Sequence, residues 1–197
     1  KVHIRRAFSY AVDRDSMVEN ILQGAGIPAA WWTPPSINLA PSPEADPEFG
    51  VHFDATKAQE ELQLGLADMG LSSADELPTI VVQFRDQETW RAQAEALQVM
   101  FEDTLGIRVE LEPSDATTYW ANLDVESGQI HYKCWSPDYN EANNFTRDVH
   151  RSDGVYNYGR YNNPVWDEMV DTARREPDTE VRRDMYQEIE RIFIVED

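Results

Sequence analysis

Pro78-Thr79-Ile80-Val81-Val82-Gln83-Phe84 is a β-branched run introduced by proline and ended by an aromatic, and it reads as a buried strand. After it, Trp90, Ala94, Leu97, Phe101 and Leu105 recur at helical spacing, and Gly106 stands where a helix ends in a left-handed residue. Ile107-Arg108-Val109-Glu110-Leu111-Glu112 then alternates apolar and charged residues, the pattern of a strand with one buried face. A short helix over 117–123, carrying Tyr119 and Trp120, leads to a third candidate strand at 130–135. Strands alternating with helices of this length define an α/β layer structure.

Toward the N-terminus, Ile4, Ala7, Phe8, Ala11 and Val12 keep helical spacing, and Asp13 is placed to cap a second piece bearing Met17, Val18, Ile21 and Leu22. Asp54 is the N-cap of a helix ending near Met69, with Ala55, Ala58, Leu62 and Leu66 on one face. Between them lies a long loop, 27–48, rich in Pro, Ser and Ala. Loops of this length in compact domains are functional or disordered, and the adjacent Trp31 and Trp32 argue against a disordered linker. Gly24-Ala25-Gly26-Ile27-Pro28-Ala29 spells a dinucleotide fingerprint, but a helix precedes it and Pro28, Pro34 and Pro35 follow. The strand-then-helix context that gives those glycines their meaning is missing.

Toward the C-terminus, His131-Tyr132-Lys133-Cys134-Trp135-Ser136-Pro137-Asp138-Tyr139-Asn140-Glu141 carries a strand end straight into an aromatic, a carboxylate and an amide. Pro137-Asp138 is common turn chemistry. The same residues also suit an ammonium ligand, because a cation leaving water needs a carboxylate and further acceptors in exchange. A stretch of little periodicity, 140–163, holds Phe145, Tyr156, Tyr158 and Tyr161. A helix capped by Asn163 with Pro164 in its first turn follows. A last helix begins near Asp178, with Val181, Met185, Ile189 and Ile192 as its apolar stripe, and Trp90 and Trp166 read as core.

The 197 residues fit one domain, or two small ones. With 17 Lys and Arg against 37 Asp and Glu, the net charge of −20 opposes binding to nucleic acid and to anionic membranes. Such acidity serves solubility first and welcomes cationic ligands second. The single cysteine, Cys134, excludes an internal disulfide and any CxxC motif. His3, His52, His131 and His150 form no metal-binding spacing, so neither metal nor other cofactor is expected. There is no GxSxG elbow, and the abundance of Asp and Glu gives a carboxylate-based hydrolase no specific support. No run approaches the roughly 20 apolar residues that span a bilayer.

Several of these segments resemble, in order, the extracellular solute-binding proteins of the peptide/nickel type, receptors that feed ABC importers. Arg6-Ala7-Phe8-Ser9-Tyr10-Ala11-Val12-Asp13-Arg14-Asp15 is similar to the helix that opens their second lobe, and Ile27-Pro28-Ala29-Ala30-Trp31-Trp32-Thr33-Pro34-Pro35 to a loop that approaches their ligand cleft. Phe53-Asp54-Ala55-Thr56-Lys57-Ala58, the Trp135-x-x-Asp138-Tyr139-Asn140-Glu141 run and Tyr161-Asn162-Asn163-Pro164-Val165-Trp166-Asp167 resemble further elements. So does the closing Arg182-x-x-x-Tyr186-x-x-x-Glu190 pattern.

The resemblance implies a type II periplasmic-binding-protein fold, with 1–197 forming a single α/β lobe built on a mixed sheet flanked by helices. An exported protein that starts directly in a helix, at Lys1-Val2-His3-Ile4, is expected to be a fragment of a two-lobed receptor. Its N-terminal lobe, export signal and lipid anchor would lie outside this chain. The expected function is capture of oligopeptides or dipeptides for an importer permease, in the periplasm or at the cell surface; an oligosaccharide ligand is the alternative, and an enzyme is not expected. In peptide-binding relatives the aspartate at the position of Asp138 pairs with the free α-amino group of the ligand. Trp135 and Tyr139 then wall the first pocket, Asn140 hydrogen-bonds, and one of Trp31 and Trp32 faces ligand while the other packs. Ala142 departs from the proline common at its position. Tyr132 and Lys133 stand where some relatives carry an arginine, so capture of a ligand's C-terminus is not expected on this lobe.

Overall fold

Short polar side chains set the helix starts in the computed structural model, which describes residues 1–42, 46–125 and 128–197. Asp13 Oδ1 accepts from Ser16 N at 2.9 Å and Asp54 Oδ1 from Lys57 N at 2.9 Å. Asn163 Oδ1 accepts from Val165 N and Trp166 N at 3.1 and 3.2 Å, and Asp178 Oδ1 from Glu180 N and Val181 N at 3.0 and 3.1 Å. Each cap satisfies amides that the first helical turn cannot pair internally. Residues 43–45 of the expected loop 27–48 lie outside the described residues.

The chain divides into two compact units, Lys1–Pro28 with His52–Lys133, and Ala29–Val51 with Cys134–Asp197. In the first, α1 (Val2–Tyr10) is followed by α2 (Arg14–Ser16), which runs on into a π-helical turn over Met17–Ile21. Then come α3 (Ala55–Met69), β1 (Ile80–Arg85), α4 (Glu88–Leu105), β2 (Val109–Ser114), α5 (Ala116–Val125) and β3 (Ile130–His131). α3 and α4 end on Gly70 and Gly106, both left-handed.

The strands stand in the order β2-β1-β3, with Ile80 opposite Val109 and Val82 opposite Ile130. A mixed sheet was expected; every pairing among the described strands is parallel, because α4 and α5 return the chain to the same starting edge. β1 lies between its neighbours and buries Ile80, Val82 and Phe84. β2 runs past Glu112 to include Pro113 and Ser114, which an edge strand tolerates since proline's missing donor is not needed there. β3 is shorter than its apolar run suggested. Tyr132 N still donates to Gln83 O at 3.0 Å, but Tyr132 O accepts from the Tyr119 hydroxyl, and from Cys134 onward the chain belongs to the other unit.

α1 packs on α3 at Gly65, where a Cβ would lie 2.6 Å from Ile4 Cδ1 and 3.0 Å from Ile4 N. Only glycine allows that approach. Phe8 then meets Phe101 edge-on, with ring centroids 4.8 Å apart.

The second unit contains α6 (Ala142–Phe145), α7 (Arg147–His150), α8 (Pro164–Ala173) and α9 (Thr179–Arg191), the last running into a π-helical turn over Ile192–Glu196. Leu39, Ala142, Trp166, Val170, Ala173, Tyr186 and Ile189 form its core. The Trp166 indole N–H donates to Ile189 O at 2.9 Å, so the largest buried side chain also has its polar atom satisfied. Val181 departs from the expected stripe of α9: it is 47% exposed, and the buried face is Tyr186, Ile189 and Glu190. Gly50, at φ +97°, lets Val51 N reach Ala30 O at 2.8 Å, where a Cβ would collide with that oxygen.

Candidate functional site

Asn144 organises the turn after Trp135. It sits on α6, fully buried, and its Oδ1 accepts from the Trp135 indole N–H at 2.9 Å and from Asp138 N at 3.0 Å. Its Nδ2 donates to Asp148 Oδ2 at 3.1 Å and lies 3.4 Å from Asp138 Oδ2. One amide thereby holds the indole, the turn backbone and two carboxylates together.

Asp138 itself is exposed, and among the described residues no cation pairs with its carboxylate. The half-buried Trp135 ring packs against Tyr156, with centroids 4.8 Å apart. Tyr139 is 43% exposed, and its hydroxyl donates to Asp148 Oδ2 at 2.6 Å while accepting from Asn143 Nδ2. Partial burial, and then the bond to Asp148, raise the tyrosine pKa above its ordinary value, so the hydroxyl stays protonated and donating. Asn140 Oδ1 accepts from Asn38 N at 3.0 Å and Ala142 N donates to Asn38 O at 3.0 Å. The carbonyl of Asn140 is therefore committed to the fold, and its amide N–H groups are what it has to offer a ligand.

The two tryptophans of the 29–51 segment differ. Trp32 donates its indole N–H to Phe145 O at 2.7 Å, and its ring lies 5.0 Å from the His150 ring. Its backbone N donates to Glu190 Oε2 at 2.8 Å, Thr33 N donates to Glu190 Oε1 at 2.9 Å, and the Thr33 hydroxyl donates to the same oxygen. Trp31 is half-buried against Phe49, at 6.1 Å between centroids. Both rings are half-buried, and the Trp32 indole is further fixed by its hydrogen bond. Glu190 is 1% exposed; burial pushes its carboxyl up to about 7 despite the three donors that favour ionisation.

The structure thus brings Trp135, Asp138 and Tyr139 together through Asn144 and Asp148, ties Asn140 to Asn38, and fastens Trp32 to Phe145 and Glu190. Asn144 and Glu190 were not among the sequence candidates. Glu190 had a signal, since it lies four residues after Tyr186 and so on the core side of α9. Asn144 sits in an aperiodic stretch and had none. Chemically the arrangement offers an exposed anion on a braced turn, beside an aromatic face.

A family model described as bacterial extracellular solute-binding proteins, family 5 Middle, matches residues 1–157. The oligopeptide-binding protein OppA of Bacillus subtilis is 32% identical over 195 residues, which is 99% of this chain and 35% of that protein. The periplasmic murein peptide-binding protein MppA of Escherichia coli is 27% identical over 191 residues, 97% of this chain and 35% of the relative. A solved periplasmic oligopeptide-binding protein of Borrelia burgdorferi, OppAIV, superposes with a TM-score of 0.85 at 26% identity, covering 100% of this chain and 38% of that one. The chain spans about a third of the length of the curated relatives it matches.

Proposed function

The chain belongs to the bacterial extracellular solute-binding proteins, family 5, and from that membership we propose that it contributes one wall of a peptide-binding cleft in an ABC-importer receptor. The observation that carries this reading is the exposed Asp138 carboxylate, held by Asn144 beside the Trp135 indole and without a cation of its own among the described residues. A peptide's α-ammonium supplies the missing charge. The salt bridge gains strength as a closing cleft removes water, and the Trp135 face adds about 0.5–2 kcal/mol of cation–π attraction. Tyr139 walls the first side-chain pocket, the Asn140 amide donates to the peptide backbone, and Trp31 is the ligand-facing tryptophan of its loop.

Residues 1–197, both units together, are read as part of one lobe of a two-lobed receptor. Ligand bridging both lobes makes the closed form dominant, and the permease recognises that form. Such a receptor works outside the cytoplasmic membrane, in the periplasm or at the cell surface through a lipid anchor beyond this chain, and returns its ligand chemically intact. The oligosaccharide alternative drew on stacking by Trp31 and Trp32, and the commitment of the Trp32 indole to Phe145 favours peptides over sugars.

A thermal-shift screen of the full-length receptor tests this, because a ligand that binds only the folded state raises its melting temperature. Peptides should raise it and oligosaccharides should leave it unchanged. Stabilisation by sugars alone, or hydrolysis of the added peptides, would sink the reading.

A further inference from the structure

A depression of about 450 Å3 opens beside Tyr139, walled by Glu141, Asn143, Arg147, Asp148, Arg174 and Arg182. Three arginines face two carboxylates there, on a chain whose net charge is −20. Arg147 is already engaged, through Nε to Asp171 at 2.9 Å and through a terminal nitrogen to Asp148 at 3.3 Å. Arg174 and Arg182 are less fully committed. Arg182 forms a long ion pair with Glu141, at 3.8 Å and outside hydrogen-bond range, and its buried Nε has no acceptor among the described residues. Arg174 is exposed and makes no side-chain ion pair among the described residues.

Asn143 supplies the complementary group. It is 5% exposed, and its buried Oδ1 accepts no hydrogen bond from the described residues. The orientation of its amide follows from its neighbours. The Asp148 carboxylate can only accept, so the Tyr139 hydroxyl donates to it and must itself accept from Asn143 Nδ2, which leaves Oδ1 as the amide's unmatched atom. Two residues that line one space, Asn143 and Arg182, thus carry a buried acceptor and a buried donor nitrogen without hydrogen-bond partners among the described residues, and an occupant carrying the opposite pair would match them.

We propose that this pocket binds a carboxylate flanked by an N–H donor, its oxygens meeting Arg174 and Arg182 and its N–H reaching Asn143 Oδ1. An acidic residue of a peptide carries both groups, in its side chain and its backbone amide, and N-acetylglutamate carries them in free form. The peptide source rests on the proposed function. It is supported by the shared wall between the two sites: Asp148 lines the pocket and accepts from Asn144 Nδ2 at 3.1 Å, and that same nitrogen lies 3.4 Å from Asp138 Oδ2. The receptor would then prefer peptides with an acidic residue near the N-terminus, against the repulsion that the net charge of this chain predicts.

The test is calorimetry on the full-length receptor with tetra-alanine peptides in which Glu, or Gln as its uncharged match, is placed at each position in turn, and separately with N-acetylglutamate. At one position the Glu peptide should bind roughly tenfold tighter than its Gln match, the size of one charge-assisted hydrogen bond. Arg174→Gln, at an exposed site that leaves the fold intact, and Arg182→Gln should each reduce that preference to about twofold or less. If no peptide binds but N-acetylglutamate does, and loses affinity in Arg174→Gln, the carboxylate pocket stands and the peptide reading falls. Equal affinities for all Glu and Gln matches with no N-acetylglutamate binding, or a preference that survives both arginine variants, overturns the pocket.

Discussion

Asn144 Oδ1 lies 2.9 Å from the Trp135 indole nitrogen, and the same oxygen accepts from Asp138 N at 3.0 Å, so the aromatic wall and the acidic turn share one buried acceptor. Asn144→Leu keeps the volume and removes every bond. Two donors at the proposed ligand site then lose their partner, at about 1–3 kcal/mol for each group left buried and unpaired. Peptide affinity of the full-length receptor should fall about tenfold or more by calorimetry, with the overall fold retained by circular dichroism. An unchanged affinity would show that the turn is held by something else.

On the proposed function, Asp138→Ala removes the partner of a charge that the closed cleft desolvates. A loss of about 3–5 kcal/mol, more than a hundredfold in affinity, is expected for a free-amine peptide. An N-acetylated peptide has no ammonium to pair, so the parent receptor should bind it about as weakly as the variant binds the free-amine form. If acetylation costs affinity while Asp138→Ala does not, the ammonium is held elsewhere.

Glu190 gives a pH signature. Its carboxyl ordinarily titrates near 4.5 and in the folded protein near 7, so between those values the folded state holds a proton that the unfolded chain has released. The stability tied to the protonated form is fully present below about pH 4.5 and is lost as pH rises toward 7. The full effect is of the order of 3 kcal/mol. In urea titrations, the stability gap between the parent and Glu190→Gln should change by about that amount across the window; a constant gap would mean that the carboxyl does not titrate there.

Gly65→Ala probes the contact of α1 with α3. The added methyl would lie 2.6 Å from Ile4 Cδ1 and 3.0 Å from Ile4 N, so the two helices must separate. Overpacking of this kind costs about 1–3 kcal/mol, although alanine is intrinsically the better helix former. A neutral or higher melting temperature would show that α1 yields freely.

What could be read beforehand was local. The caps at Asp13, Asp54, Asn163 and Asp178 and the strand β1 follow from patterns a few residues long, and the structure has them where the pattern puts them. The Trp135-to-Asn140 stretch announced itself by content. What stayed hidden depends on distant partners: Trp32 and Thr33 are fastened by Glu190, 158 and 157 positions away, and no periodicity of a single segment carries that information. The early end of β3 has the same origin, since Tyr132 O is taken by the Tyr119 hydroxyl from a neighbouring helix. The different settings of Trp31, against Phe49, and Trp32, against Phe145 and His150, were likewise undecidable from two identical letters.

The route of the chain has a consequence for biosynthesis. It passes from one unit to the other after Pro28, after Val51 and after Lys133, and the segment bearing Trp31 and Trp32 closes onto Phe145 and Glu190. On the ribosome Trp32 waits, without its distant partner, until Glu190 has been made 158 residues later. The bonds that fasten this segment therefore cannot form before synthesis has passed Glu190, and its apolar surface is open to misassociation meanwhile.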